Sequence, residues 1–124
     1  MREVLCRGKT KDGVWVEGFL FKTKEHTYIA YAEQYDDDLF LSPKNIFIEV
    51  IPETVGLYTG TTDARTGKKI FEDDIVVSTY ARRLSNRPHL VKFSPISGYC
   101  YCDPKRKPVV IGNIHDNPEL LKGA

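Results

Sequence analysis

Apolar and polar residues alternate in short runs along most of this chain, with the two-residue period of a β-strand. Val14-Trp15-Val16-Glu17-Gly18-Phe19-Leu20-Phe21 is β-branched and aromatic and follows a Lys11-Asp12-Gly13 turn. Thr27-Tyr28-Ile29-Ala30-Tyr31-Ala32 is similar, and the polar Lys22-Thr23-Lys24-Glu25-His26 between them predicts a hairpin connection. Ile46-Phe47-Ile48-Glu49-Val50-Ile51 is a third run, expected to stop at Pro52, which has no N–H for a ladder. Its alternation sets Ile46, Ile48 and Val50 on one face and Phe47 and Ile51 on the other, so both faces are expected to be at least partly covered.

The second half continues in the same style. Leu57-Tyr58-Thr59 leads into Gly60, and Asp63-Ala64-Arg65-Thr66-Gly67-Lys68 reads as a turn in which Gly67 is free to take positive φ. Lys69-Ile70-Phe71, an acidic turn at Glu72-Asp73, and a strand over 74–80 follow. Leu90-Val91-Lys92-Phe93, residues 98–102 and Val109-Val110-Ile111 are further short strands. Short strands at this spacing, divided by Gly and Pro, predict a small barrel or roll. Helix signals are local. Asn117-Pro118-Glu119-Leu120-Leu121 reads as an Asn cap, a Pro at the first helical position and an acid in the first turn. Ser42-Pro43-Lys44-Asn45 offers the start of one more turn.

The chain has 124 residues, 18 basic and 17 acidic, for a net charge of +1. That balance argues against a histone-like basic protein and against an acidic DNA mimic. Charge is uneven, however: residues 1–62 carry 7 basic and 10 acidic groups, and residues 63–124 carry 11 and 7. A negatively charged partner would more readily meet the second half. No apolar run is long enough to span a membrane as a helix, and the charged opening residues do not read as a signal peptide. The 3 cysteines point to free thiols in a reducing cytoplasm.

Two segments are distinctive together. One is Pro52-Glu53-Thr54-Val55-Gly56-Leu57-Tyr58-Thr59-Gly60, running on through Asp63, Gly67-Lys68-Lys69-Ile70-Phe71-Glu72 and Asp74-Ile75-Val76. The other is Val110-Ile111-Gly112-Asn113-Ile114-His115-Asp116-Asn117-Pro118-Glu119-Leu120-Leu121. With the opening Met1-Arg2-Glu3 and Arg7-Gly8-Lys9, they resemble the YopX family of small phage and prophage proteins. Residues 80–108 do not carry the resemblance. The chain departs from the family pattern at Asp73, where Gly is usual, at Leu57, where Gln is usual, and at His115, where an aromatic is usual. Asp73 is therefore expected to hold a backbone angle suited to Gly, at about 1 kcal/mol.

The resemblance implies a mostly β protein. Residues 1–52 would form a β-rich N-terminal portion, and residues 53–124 an SH3-like barrel with a short terminal helical turn. It also implies a phage or prophage origin and a cytoplasmic location in a bacterial host. It carries over no reaction and no cofactor.

Several constellations invite chemistry, and each has a plainer reading. Cys100 and Cys102 lie on one strand face, and Cys6, His89 and His115 could join them around zinc, but the CxxC knuckle of most zinc sites is absent. Asp36-Asp37-Asp38 has no calcium-loop spacing and reads as a solvated loop. Glu72, Asp73 and Asp74 with His115 resemble an acid–base set, but the sequence has no nucleophile, oxyanion or phosphate-loop motif. No metal, cofactor or catalytic residue is expected.

The strongest functional pattern is cationic. Arg82, Arg83, Arg87, Lys92, Lys105, Arg106 and Lys107 interleave with Tyr80 and Tyr99, the arrangement by which small barrels bind single-stranded nucleic acid. The competing reading is a protein-binding or assembly module. Trp15, Phe19, Phe21, Tyr28 and Tyr31 are more apolar surface than a short N-terminal meander readily hides, which favours a homo-oligomer or a phage or host protein partner.

Overall fold

The structure is a computed structural model that describes residues 5–33, 44–78, 87–96, 98–99 and 103–122. It is mostly β, with antiparallel pairing throughout the described ladders. The elements are β1 (Leu5–Lys9), β2 (Trp15–Lys22), β3 (Thr27–Glu33), β4 (Lys44–Glu49), β5 (Ile51–Thr62), β6 (Lys69–Phe71), β7 (Asp74–Ser78), β8 (His89–Leu90), β9 (Phe93–Ser94), β10 (Gly98–Tyr99) and β11 (Pro108–Asn113). Two 3₁₀ turns, η1 (Pro104–Arg106) and η2 (Pro118–Leu121), complete the set. The chain divides into two compact units, Met1–Leu57 and Tyr58–Ala124.

The first unit is an antiparallel sheet in the order β4-β3-β2-β1-β5. Period-two alternation sends Cys6, Val16, Ile29 and Val50 to one face. Cys6, Ile29 and Val50 form its buried core, with Val16, Val55 and Leu57 packed against it. Burial pushes the Cys6 thiol up from its usual value, so it remains a protonated, apolar core group. Gly18 makes the β2–β3 approach possible, since a Cβ there would lie 2.3 Å from the Ala30 carbonyl oxygen.

Pro52 does not end a strand as expected. The run breaks at Val50, and Pro52 lies near the start of β5. The β1–β5 register shifts between Arg7 and Lys9, passing from Arg7↔Gly56 to Lys9↔Ile51. Pro52 falls in that irregular stretch, where a ladder N–H is not required. The Thr54 hydroxyl bridges it, accepting from Lys9 N at 2.8 Å and donating to Ile51 O at 2.6 Å.

In the second unit, the C-terminal end of β5 pairs with β6, and β11-β7-β8 form a three-stranded sheet beside the β9–β10 ribbon. Ile70, Val76 and Val91 make its core, with Tyr99 and Val110 packed on them. The expected strand over 90–93 is two short pieces, β8 and β9, because Val91 turns inward and exchanges backbone hydrogen bonds with Asp73 and Asp74. The expected helix start near Ser42 is not found at Lys44 and Asn45, which open β4 instead. The C-terminal helical signal produces η2, but Asn117 does not cap it. Its Oδ1 instead accepts from Asn113 N at 3.3 Å, folding the segment back over Gly112.

Candidate functional site

Each unit presents one surface with chemistry to offer. In the first, the face opposite the core carries Phe19 and Phe21 on β2, Tyr28 on β3 and Phe47 on β4. The registers Phe19↔Ala30, Phe21↔Tyr28 and Ala30↔Phe47 place them side by side. Phe21 meets Phe47 edge-on at 5.3 Å between ring centroids and lies 6.3 Å from Tyr28. Phe19, Phe21 and Phe47 remain 41%, 48% and 52% exposed. The expectation that both faces of the 46–51 run are at least partly covered is met unequally: the isoleucine face is turned to the core, and Phe47 on the other face is half-covered, edge-on to Phe21. At the far edge of this surface, Trp15 receives the Arg7 guanidinium 4.6 Å from its ring centroid. His26 Nδ1 contacts Glu49 Oε2.

In the second unit, two aspartates hold turns. Asp63 is 4% exposed, and its Oδ1 accepts from Arg65 N at 2.7 Å and Thr66 N at 2.8 Å. Its Oδ2 accepts from Val110 N at 2.7 Å. Burial pushes the carboxyl up, but the amides of Val110, Thr66 and Arg65, with the Thr66 hydroxyl, outweigh it and hold the group below the usual aspartate range. Asp74 is 2% exposed, and its Oδ2 accepts from Phe71 N at 2.9 Å.

Asp73, between them, has φ +72°, the left-handed angle expected for a residue in a glycine position. Its amide donates to Val91 O, and its carbonyl accepts from Ile114 N. Asp73 Oδ1 binds Lys92 Nζ at 2.6 Å, and Oδ2 lies 3.2 Å from His115 Nε2. The acid–base set read in the sequence is therefore brought together only in part. Asp73 and His115 meet, with Lys92 on the other carboxylate oxygen, while Asp74 is occupied with its own turn.

The sequence-predicted cations have different fates. Tyr80, Arg82 and Arg83 lie outside the described residues, as do Asp36-Asp37-Asp38, Cys100 and Cys102. Lys92 is committed to Asp73. Lys105 and Arg106 on η1 and Lys107 at its C-cap are exposed, and Asp103 opens the turn by accepting from Lys105 N at 2.9 Å. Arg87 is also exposed. Burial first, and then the charges of Arg106 and Arg87, push the His89 imidazole below its usual value, so these two cations act on one spot. Tyr99 is half-buried, packed on the core and edge-on to Phe93 at 5.2 Å. Among the described residues no cluster of His, Cys, Asp and Glu is arranged to hold a metal ion.

Sequence reasoning missed Asn45, Phe47 and Glu49 as surface residues. The available signal was the placement of an aromatic on the face opposite Ile46 and Ile48.

These features define a class: a mostly β protein of short antiparallel ribbons, whose distinctive motifs hold turns together. The chain belongs to the YopX family, whose model, described as YopX protein, matches residues 7–122. The match runs through residues 80–108, which alone carried no resemblance. No curated protein and no solved structure matches the chain. No helix among the described residues is long and apolar enough to cross a membrane.

Proposed function

We propose that this protein is a non-catalytic binding and assembly module of phage or prophage type, acting in the host cytoplasm and associating with copies of itself. The observation carrying the reading is the shared, half-exposed surface of Phe19, Phe21 and Phe47. Each ring moved fully out of water contributes about 1–2 kcal/mol, which makes a contiguous aromatic face a strong site for association. The non-catalytic part rests on the motifs, whose acidic residues support backbone turns. Light scattering across a concentration series tests the proposal. The expected mass rises above 14.2 kDa, and Phe47→Ser lowers the association. A mass of 14.2 kDa at high concentration overturns it.

A second reading, nucleic-acid binding, is favoured by one observation: Lys105, Arg106 and Lys107 form an exposed cationic run at η1, and Arg87 is exposed as well. Binding of a labelled single-stranded oligonucleotide would then weaken steeply with salt, and Arg106→Glu would reduce it at low salt. Absence of binding at low salt removes this reading.

A further inference from the structure

We infer that the self-association runs through β4, which joins its counterpart in a second copy as an antiparallel edge pair centred on Phe47. The inference rests on the assembly reading above and specifies its geometry.

Among the described residues β4 pairs with β3 alone, and it is the outer strand of its sheet. Val50 N donates to Thr27 O at 2.9 Å, which continues the register Tyr28↔Glu49, Ile29↔Ile48 and Ala30↔Phe47. In an antiparallel ladder, hydrogen-bonded and non-hydrogen-bonded pairs alternate. Ile46 and Ile48 therefore spend their backbone groups on β3, while the N–H and C=O groups of Asn45, Phe47 and Glu49 point away from it. Such an edge is a template for another strand unless something blunts it.

The sequence selects the strand. Asn45-Ile46-Phe47-Ile48-Glu49 has the same order of chemical classes from either end. A twofold axis at Phe47 sets Phe47 against its own counterpart, Asn45 against Glu49 and Ile46 against Ile48. This register pairs every outward backbone group of Asn45, Phe47 and Glu49. Shifting it by two residues in one direction sets Phe47 against Asn45, and in the other against Glu49, leaving outward groups unpaired both times. A further shift towards Glu49 opposes two carboxylates, which is destabilising. In the centred register the Asn45 amide meets Glu49, which has given only Oε2 to His26. Each aromatic face continues across the axis, so the exposed Phe47 rings are covered by one another.

Amide hydrogen exchange followed by NMR, alongside light scattering on the intact chain, tests the geometry. Exchange at Asn45, Phe47 and Glu49 is expected to slow at least tenfold as the mass rises from 14.2 kDa to twice that value, while Ile46 and Ile48 are protected throughout. Asn45→Asp places like charges opposite each other and should weaken association about tenfold, with recovery in the Asn45→Asp, Glu49→Gln double variant. If the three amides exchange rapidly in a protein of twice the mass, or if Asn45→Asp associates as the parent does, edge pairing is overturned while self-association stands. If the mass stays at 14.2 kDa throughout, both fail.

Discussion

The Asp63 carboxylate accepts the Val110 amide at 2.7 Å, joining a turn to a strand 47 residues further along the chain. The same carboxylate holds Arg65 N and Thr66 N, while Ala64 N donates to Pro108 O. One buried side chain thus closes its own turn and clamps that turn to β11. Asp63→Ala leaves backbone donors without their acceptor and is expected to lower stability by about 3 kcal/mol. Asp63→Asn, which retains one oxygen acceptor, should lose less. Urea unfolding of both variants gives the difference, and equal stability of Asp63→Ala and the parent would show that the clamp is not structural.

Acid should weaken the fold in two steps. His89 is held below its usual value, so its contribution is complete above the ordinary imidazole range and declines as pH falls below about 6.5. Asp63 is held below the usual aspartate range. Its contribution is complete above about pH 4 and is lost as pH falls through the depressed native value. In both cases the unfolded chain binds more protons within the window, so stability rises with pH. Unfolding midpoints should fall from pH 7 to 5 and again below pH 4. His89→Gln should flatten the first decline and Asp63→Asn the second, and unchanged slopes would contradict the assignments.

Much of this was legible from sequence, for reasons visible in particular residues. Alternation places β2, β3 and β4 because one face of each is turned towards the core of the first unit and the other away from it. Asp63 is recognisable as the opener of a turn from its neighbours, but its bond to Val110 is not, since no local pattern reports a partner so distant. Pro52 misleads because the shifted β1–β5 register and the Thr54 hydroxyl remove the need for its missing N–H. Phe47 is only half legible, for a different reason: alternation assigns it a face but does not say what covers that face. Lys92 looked like a free cation because its neutralising partner, Asp73, stands on another turn.

Asp73 combines a positive φ with two side-chain contacts, and substitution separates them. Asp73→Gly loses the contacts to Lys92 and His115 but relieves the left-handed angle. Asp73→Ala loses the contacts and retains a Cβ in that region. Alanine should therefore be less stable than glycine by about 1 kcal/mol. Lys92→Ala should change stability by less than about 1 kcal/mol, because the Lys92 side chain is 61% exposed and its ion pair is solvent-screened. Thermal unfolding orders the variants, and an alanine variant as stable as the glycine variant would place the strain elsewhere.

Gly18 and Gly112 both lack room for a methyl group, yet they should tolerate one differently. At Gly112 an added Cβ meets Asn117 Oδ1 at 2.6 Å and Leu120 Cδ1 at 2.8 Å, the ends of side chains that can rotate. At Gly18 it meets the Ala30 carbonyl oxygen at 2.3 Å, and that backbone is fixed by the β2–β3 ladder. Relief at Gly18 requires the strands to separate, which also disturbs Ile29 in the core. Gly112→Ala should lower stability by about 1–2 kcal/mol, within the usual range for overpacking, and Gly18→Ala by more. Chemical denaturation of both variants fixes the order. A Gly18→Ala protein more stable than Gly112→Ala would mean that β2 and β3 are free to move apart, and that Gly18 is not what holds their spacing.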